Sequence, residues 1–440
     1  MRSKGWAVAT VAILLIAGVM GIAWLNPRLT HHIESDRFRV ALEKETAKGL
    51  HFPSGQYASI HRTGFLSATS DKFRAENGRK AMKSMDAHGI TAKLNPLGFF
   101  LRRWQLDEVH IQSGEVEIQT YAPTPEPSPA KPWFHIFLPQ RVYLKLVESE
   151  PADVTWRFRG EKGGFFGTRL VITPHGRDFN YQATGGTLKM ALIPNLQLRD
   201  THLLITKKLL SLYHLDLQSG ENGHIHAEGA AGTSEDRSVN FNFSFERVPV
   251  EEWLPRQWRE HVKGKASGKI LWHGKNAKLE SSAGEATLRI DDGRIIQLPF
   301  LENVAKITNE KALERLILND CSFALAWNYP GAEIRDIAIE ERGKFRAQGT
   351  MRIENKELSG AIELGVVRHL LDWLPKPEEV FPREHDGYLW TTVRLSGTTD
   401  APEQDLSPRI VEVLKENPGA ALGLLLRQFE ESSKGIFGNG

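Results

Sequence analysis

Val239-Asn240-Phe241-Asn242-Phe243-Ser244-Phe245 places an apolar side chain at every odd position and a polar one at every position between. A period of two is the pattern of a strand with one dry and one wet face, because successive side chains leave a pleated backbone on opposite sides. The alternation recurs in Val109-His-Ile111, Val116-Glu-Ile118, Val142-Tyr-Leu144-Lys-Leu146, Tyr213-His-Leu215-Asp-Leu217 and Ile337-Ala-Ile339. These are half-buried strands, not the continuous apolar runs of a parallel sheet. Turn chemistry falls between them at Ser113-Gly114, Gly185-Gly186, Ser219-Gly220, Asp292-Gly293, Arg342-Gly343 and Ser359-Gly360, so strand, turn and strand are expected to follow one another as a meander.

Outward from this β body the pattern changes at both ends. Trp6 to Leu25 holds no charged residue over 20 positions, the length a helix needs to cross a hydrocarbon core of about 30 Å, and Trp6 and Trp24 suit the two interfaces. Arg2 and Lys4 favour a cytoplasmic N-terminus, whereas Arg28, Arg37 and Arg39 oppose that bias. A cleaved signal peptide is the competing reading, with Gly21 and Ala23 as small residues near a cleavage point, but the apolar run exceeds the usual core of about 7–15 residues. Leu29 to Lys48 is helix-compatible and Gly49 supplies a stop. Ser407 to Ser432 suits a pair of amphipathic helices on either side of Asn417-Pro418-Gly419, expected to cap the sheet in preference to lying on a membrane.

Ala122 to Pro132 contains five prolines and reads as an extended linker. Trp253-Leu254-Pro255 and Trp373-Leu374-Pro375 mark short helical or irregular excursions at Val250 to Lys263 and Leu370 to Arg383. The chain therefore divides into an anchor (1–25), an N-terminal helix and β module (26–121), a linker (122–132), a middle meander (133–262), a second β region (263–405) and a helical tail (406–440).

Charge and motif content narrow the function. The 56 basic and 54 acidic residues leave a net charge of +2, which gives no field to steer nucleic acid. The single cysteine, Cys321, excludes an intramolecular disulfide and a multi-cysteine metal site, and reads as a small buried hydrophobe. No nucleophile elbow, zincin helix or phosphate loop is present; Gly264-Lys-Ala-Ser-Gly268-Lys269 has the wrong spacing for the last. His224 and His226 share a strand face and form a two-ligand seed without a third ligand; His31-His32 is equally unspecific. Glu115 and Glu117 share a face, whereas glycosidase carboxylates face each other across a cleft of about 5–9 Å. Asp291-Asp292-Gly293 reads as a hairpin turn, lacking the spaced oxygens of a calcium loop. No catalytic, metal or cofactor-binding residue is assigned, and a non-enzymatic protein is expected.

Gly89-Ile-Thr-Ala-Lys-Leu-Asn-Pro-Leu-Gly-Phe-Phe100 followed by Val109-His-Ile-Gln-Ser-Gly-Glu-Val-Glu-Ile118, behind an apolar N-terminal run and a helix ending at Lys48-Gly49, resembles the N-terminal part of AsmA-like proteins. Gly284 to Ile295, the helix-like Pro299 to Ile307, Ile334 to Ile339, Gly349 to Ile353 and Val393 to Pro402 resemble their C-terminal region, while Trp133 to Val262 matches only in pattern. The resemblance implies a mainly β fold: an N-terminal transmembrane helix, then an elongated, U-shaped antiparallel β-sheet groove with few short helices and a C-terminal helical segment. It also implies an inner-membrane, single-pass anchor, a periplasmic body, and phospholipid or another acyl-chain ligand held or conducted in the groove during outer-membrane maintenance.

Physics meets that expectation at one point: a sheet with a wet face must cover its dry face with a second layer or a guest. Strands every 12 or so residues, stacked at about 4.8 Å, would make a sheet on the order of 130 Å long. Phe241, Phe243 and Phe245 are the candidate groove-lining residues, with ordinary packing between two sheet walls as the alternative. A structural or assembly scaffold whose face is filled by its own side chains, contacting envelope proteins, is the rival function.

Overall fold

A computed structural model describes residues 26–79, 82–119, 137–139, 142–158, 160–175, 178–191, 193–206, 208–232, 237–275, 279–296, 315–399 and 401–416. The run Trp6 to Leu25, the proline-rich Ala122 to Pro132, the expected helix at Pro299 to Ile307 and the second terminal helix lie outside these residues. No described helix is long and apolar enough to cross a membrane. The described chain is mainly β, with a large antiparallel sheet and few helices. It divides into two compact units, one ending at Lys208 and the other starting at Leu209.

In the first unit a helical stretch over 26–33 is separated from helix α1 (Asp36–Gly49) by Glu34 and Ser35. The break has a local cause. The Ser35 hydroxyl accepts from the Phe38 N–H at 3.3 Å, Asp36 lies in the first turn and Lys48 in the last, so the cap and the helix dipole both favour a start at this point. The single helix expected from Leu29 to Lys48 is therefore two. Ala47 of α1 joins Phe52, Phe73 and Ala75 in a small buried core.

The strands of this unit are β1 (Gly55–Tyr57), β2 (His61–Gly64), β3 (Ser67–Glu76), β4 (Met82–Asn95), β5 (Trp104–Ile118), β6 (Val142–Leu144), β7 (Val147–Phe158), β8 (Glu161–His175), β9 (Asp178–Thr184), β10 (Thr187–Lys189) and β11 (Leu196–Ile205). The antiparallel order of a meander gives way to parallel pairing where β5 runs alongside β6 and β7. Parallel neighbours need a crossover of a dozen or more residues, and the connection carrying the proline-rich run supplies that length.

The second unit carries β12 (Leu209–Ser219), β13 (Gly223–Gly232), β14 (Ser238–Pro249), β15 (Val262–Lys275), β16 (Ser282–Ile296), β17 (Arg315–Leu318), β18 (Asp320–Asn328), β19 (Gly331–Glu341), β20 (Phe345–Glu354), β21 (Glu357–Val367), β22 (Arg383–His385), β23 (Tyr388–Gly397) and β24 (Pro402–Gln404). Antiparallel pairing runs from β12 through β16, on to β18 through β21, and then to β23. Short helical turns interrupt it at Val250–Trp253, Arg256–Trp258, Arg368–Leu371 and Pro377–Val380, within the two excursions expected around the Trp-Leu-Pro motifs.

Three of the expected turns are not turns. Ser113-Gly114 lies inside β5 and Ser359-Gly360 inside β21, whose hairpin with β20 closes at Asn355-Lys356 with φ of 52° and 71°. Asp292-Gly293 sits inside β16 where the register slips opposite Lys263 and Lys265, and Asp292 takes φ 53°. The bulge at Asp292 uses the same left-handed backbone as many tight turns, so the residues that signal one also signal the other. Arg247 (φ 50°) and Asp336 (φ 53°) mark comparable slips in β14 and β19.

Helix α2 (Leu406–Glu416) closes one end of the second unit. Its Ile410, Val413 and Leu414 pack with Leu371, Leu374, Val380, Phe381 and Leu389 in a dry core. Arg409 pins the helix by donating from Nη1 to the Thr391 hydroxyl and from Nη2 to the Thr392 carbonyl, both at 2.8 Å. The sheet-capping role expected of the first terminal helix is present.

Candidate functional site

Phe241, Phe243 and Phe245 lie on one face of β14, and the register continues that face across the second unit. One row runs Leu215, Ala227, Phe243, Ile270, Ala286, Leu325, Ile334, Met351 from β12 to β20. A neighbouring row runs Leu212, Gly229, Phe241, Trp272, Gly284, Trp327, Ala332, Ile353. The three phenylalanines, Trp272 and Trp327 are half-buried, and Val239 at the start of the same face is buried.

Small residues interrupt both rows, and two of them, Gly229 and Gly284, lie under rings. A side-chain carbon added at Gly229 would sit 2.6 Å from the Phe241 ring, and one added at Gly284 would sit 2.4 Å from the Trp327 ring. Only glycine admits so close an approach. Phe241 stacks on Trp272 with ring centres 6.1 Å apart and planes at 21°, a geometry of aromatic attraction as well as area burial.

The opposite face is polar and ion-paired. Asn240 and Asn242 are exposed, and the Asn242 amide donates to Glu228 at 3.3 Å. His226 does not join His224 in a ligand pair; its Nδ1 lies 2.6 Å from the Asp216 carboxylate on the neighbouring strand, and His224 is exposed. Glu115 and Glu117 of the first unit each have a cation: Lys162 donates to Glu115 at 2.6 Å, and Lys83 donates to Glu117 at 2.9 Å. The hydrogen bond and charge of Lys83, with Arg157 beside it, hold the Glu117 carboxyl below its ordinary range against the opposing pull of burial. Neither carboxylate faces a cleft partner.

Cys321 occupies the apolar face of β18 and is 6% exposed. Burial, with a smaller contribution from the Asp320 charge, pushes its thiol up to about 11. It is a weak nucleophile at neutral pH.

Sequence periodicity finds the phenylalanines but misses Trp272 and Trp327 as their neighbours, and misses the glycines beneath the rings. The alternating run Cys321, Phe323, Leu325 extends to Trp327 and carries that signal; the glycine positions become meaningful only once the register is known.

No known family model, curated protein or solved structure matches this chain.

Proposed function

We propose that this protein is a non-enzymatic, membrane-anchored lipid-binding protein of the AsmA-like kind, which receives phospholipid or another acyl-chain ligand on the apolar face of the second unit. In this reading Trp6 to Leu25 spans the inner membrane and the body is periplasmic, where it serves outer-membrane lipid homeostasis. One observation carries it: from β12 to β18 the large side chains of one aromatic and aliphatic face, Phe241, Phe243, Phe245, Trp272 and Trp327, stay half-buried while smaller neighbours such as Ala227 and Val239 are buried, and no described helix seals them as α2 seals Leu389. Water contact with so much apolar surface is unfavourable by about 25 cal/mol per Å², and an acyl chain would remove it.

A photoreactive side chain at 241, 243 or 245 of the full chain, irradiated in the envelope, is expected to label with lipid well above one at 240 or 242. Equal labelling from both sets overturns the proposal; lipid mass spectrometry of the purified protein then identifies the ligand. The stacking of Phe241 on Trp272 and the rings seated over Gly229 and Gly284 favour a second reading, an assembly scaffold whose face is filled by its own side chains. That reading expects a purified protein free of lipid.

A further inference from the structure

Pro96-Leu97-Gly98-Phe99-Phe100-Leu101 forms one 3₁₀ segment between β4 and β5 of the first unit, and it displays apolar side chains outward. Leu97 is 64% exposed, Phe100 86% and Leu101 61%. Single exposed apolar residues are ordinary on protein surfaces, but three within five positions form a patch that calls for a partner.

The segment is held firmly. The Asn95 carboxamide accepts from the Leu97 N–H at 2.9 Å, and Arg102 ends the turn in the left-handed region. Gly98 is buried where a side-chain carbon would sit 2.6 Å from Gln105. Phe99 turns inward to meet Trp104 edge-on with ring centres 6.0 Å apart, and Trp104 in turn contacts Phe38 at 5.6 Å. Phe100 and its two companions are therefore presented by a fixed support.

What lies beside the patch names its occupant. The N–H of Leu94 donates to the Leu66 carbonyl at 2.8 Å, which brings Phe65, 51% exposed at the tip of the β2–β3 turn, to the same end of the sheet. The guanidinium of Arg62 lies 5.8 Å from the Phe65 ring and donates to the Asn26 carbonyl at 3.1 Å and to the Thr30 hydroxyl at 3.0 Å. The helical residues from Asn26, which follows the apolar run Trp6 to Leu25 directly in sequence, are thus tied to this end of the unit. Arg28 and Arg102 are exposed there, and Arg103 stacks its guanidinium 4.0 Å from the Tyr143 ring.

We propose that Phe65, Leu97, Phe100 and Leu101 insert into the interfacial layer of the same bilayer that holds the N-terminal run, with Arg28 and Arg102 facing its anionic headgroups. The apolar side chains reach the acyl boundary and the cations remain at headgroup depth, the division of labour of an interfacial membrane contact. The contact would fix how the first unit stands on the membrane, which a single helix cannot do. The inference rests on the reading of Trp6 to Leu25 as an anchor but not on lipid binding by the second unit.

The test uses the full chain carrying Cys321→Ala and one new cysteine, labelled with an environment-sensitive dye and reconstituted into phosphatidylethanolamine/phosphatidylglycerol vesicles. Cysteines replace Leu97, Phe100, Leu101 or Phe65, and the control replaces exposed Asn77, at the opposite end of β3 and about 30 Å away. Blue-shifted emission and loss of fluorescence to nitroxide-bearing lipids at the four positions, without either at 77, is the expected result. Protein that resists carbonate extraction but shows no more quenching at 100 than at 77 overturns the docking and leaves the anchor standing. Protein removed by carbonate overturns both.

Discussion

Within the second unit one sheet face is treated in two ways. Between β21 and β23 the chain covers it: Leu414 of α2 and Val380 of the turn before it are 0% exposed and Leu374 2%, packed against Leu389 of the sheet. From β12 to β18 the large side chains of the same face, followed strand by strand from Leu364 past the bulge at Asp336 back to Phe243, stay half-buried. The strands at both ends have the same alternation, so the strand pattern does not decide which end is dry. The covering layer decides it.

The largest expected effect tests the sealed end. Leu414→Ala empties a site with no solvent contact and should destabilise by about 2–5 kcal/mol in urea unfolding, whereas Phe243→Ala on the half-open face should cost about half as much or less. Equal costs would mean that the face around Phe243 is packed as tightly as the helical cap, and the distinction between the regions would fall.

A smaller effect sharpens what fills the half-open face. A carbon added at Gly284 would sit 2.1 Å from the Leu271 carbonyl oxygen as well as 2.4 Å from the Trp327 ring, so Gly284→Val should cost roughly 1–3 kcal/mol wherever the ring lies. Adding Trp327→Ala to Gly284→Val isolates the share of the ring in urea unfolding: relief of part of the cost means a ring locked over the glycine, and no relief means a ring free to make room for a guest. The scaffold reading requires the first outcome.

The comparison also shows what the sequence made legible. The alternation at Val239 to Phe245 gave the strand, its faces and the apolar row, because side-chain direction in a strand is fixed by parity alone. The amphipathic pattern at Ile410, Val413 and Leu414 gave the capping helix for the analogous reason at helical period. The turn signals at Gly114, Asp292-Gly293 and Gly360 fall inside strands, since glycine and aspartate serve bulges and close strand approach as readily as turns. The parallel pairing of β5 with β7 and the rings over Gly229 and Gly284 depend on which strand lies beside which. No local window of sequence contains that information. The motif from Gly89 to Phe100 carries the family resemblance, yet the exposure of Leu97, Phe100 and Leu101 goes with the inward turn of Phe99 onto Trp104, a tertiary contact.

Cys321 reports on the junction between the two regions, and its effect at neutral pH is the smallest. It shares the face of Phe323, Leu325 and Trp327, and its cross-strand partner Ile339 leads by register to Ala347 and Leu364. The folded thiol titrates near 11 against an ordinary value of 9.0, so the fold favours the protonated form. A raised folded value gives stability that is complete below the unfolded pKa and is lost as pH rises through 9 towards 11. Wild type should therefore lose stability across that window by more than Cys321→Ala, with the two curves parallel below it. Alkylation of the native thiol at pH 8 should be slow and should accelerate sharply on unfolding in urea. Rapid alkylation of the folded protein at pH 8 would instead place Cys321 in the open region, and the boundary of the dry core would retreat towards β21.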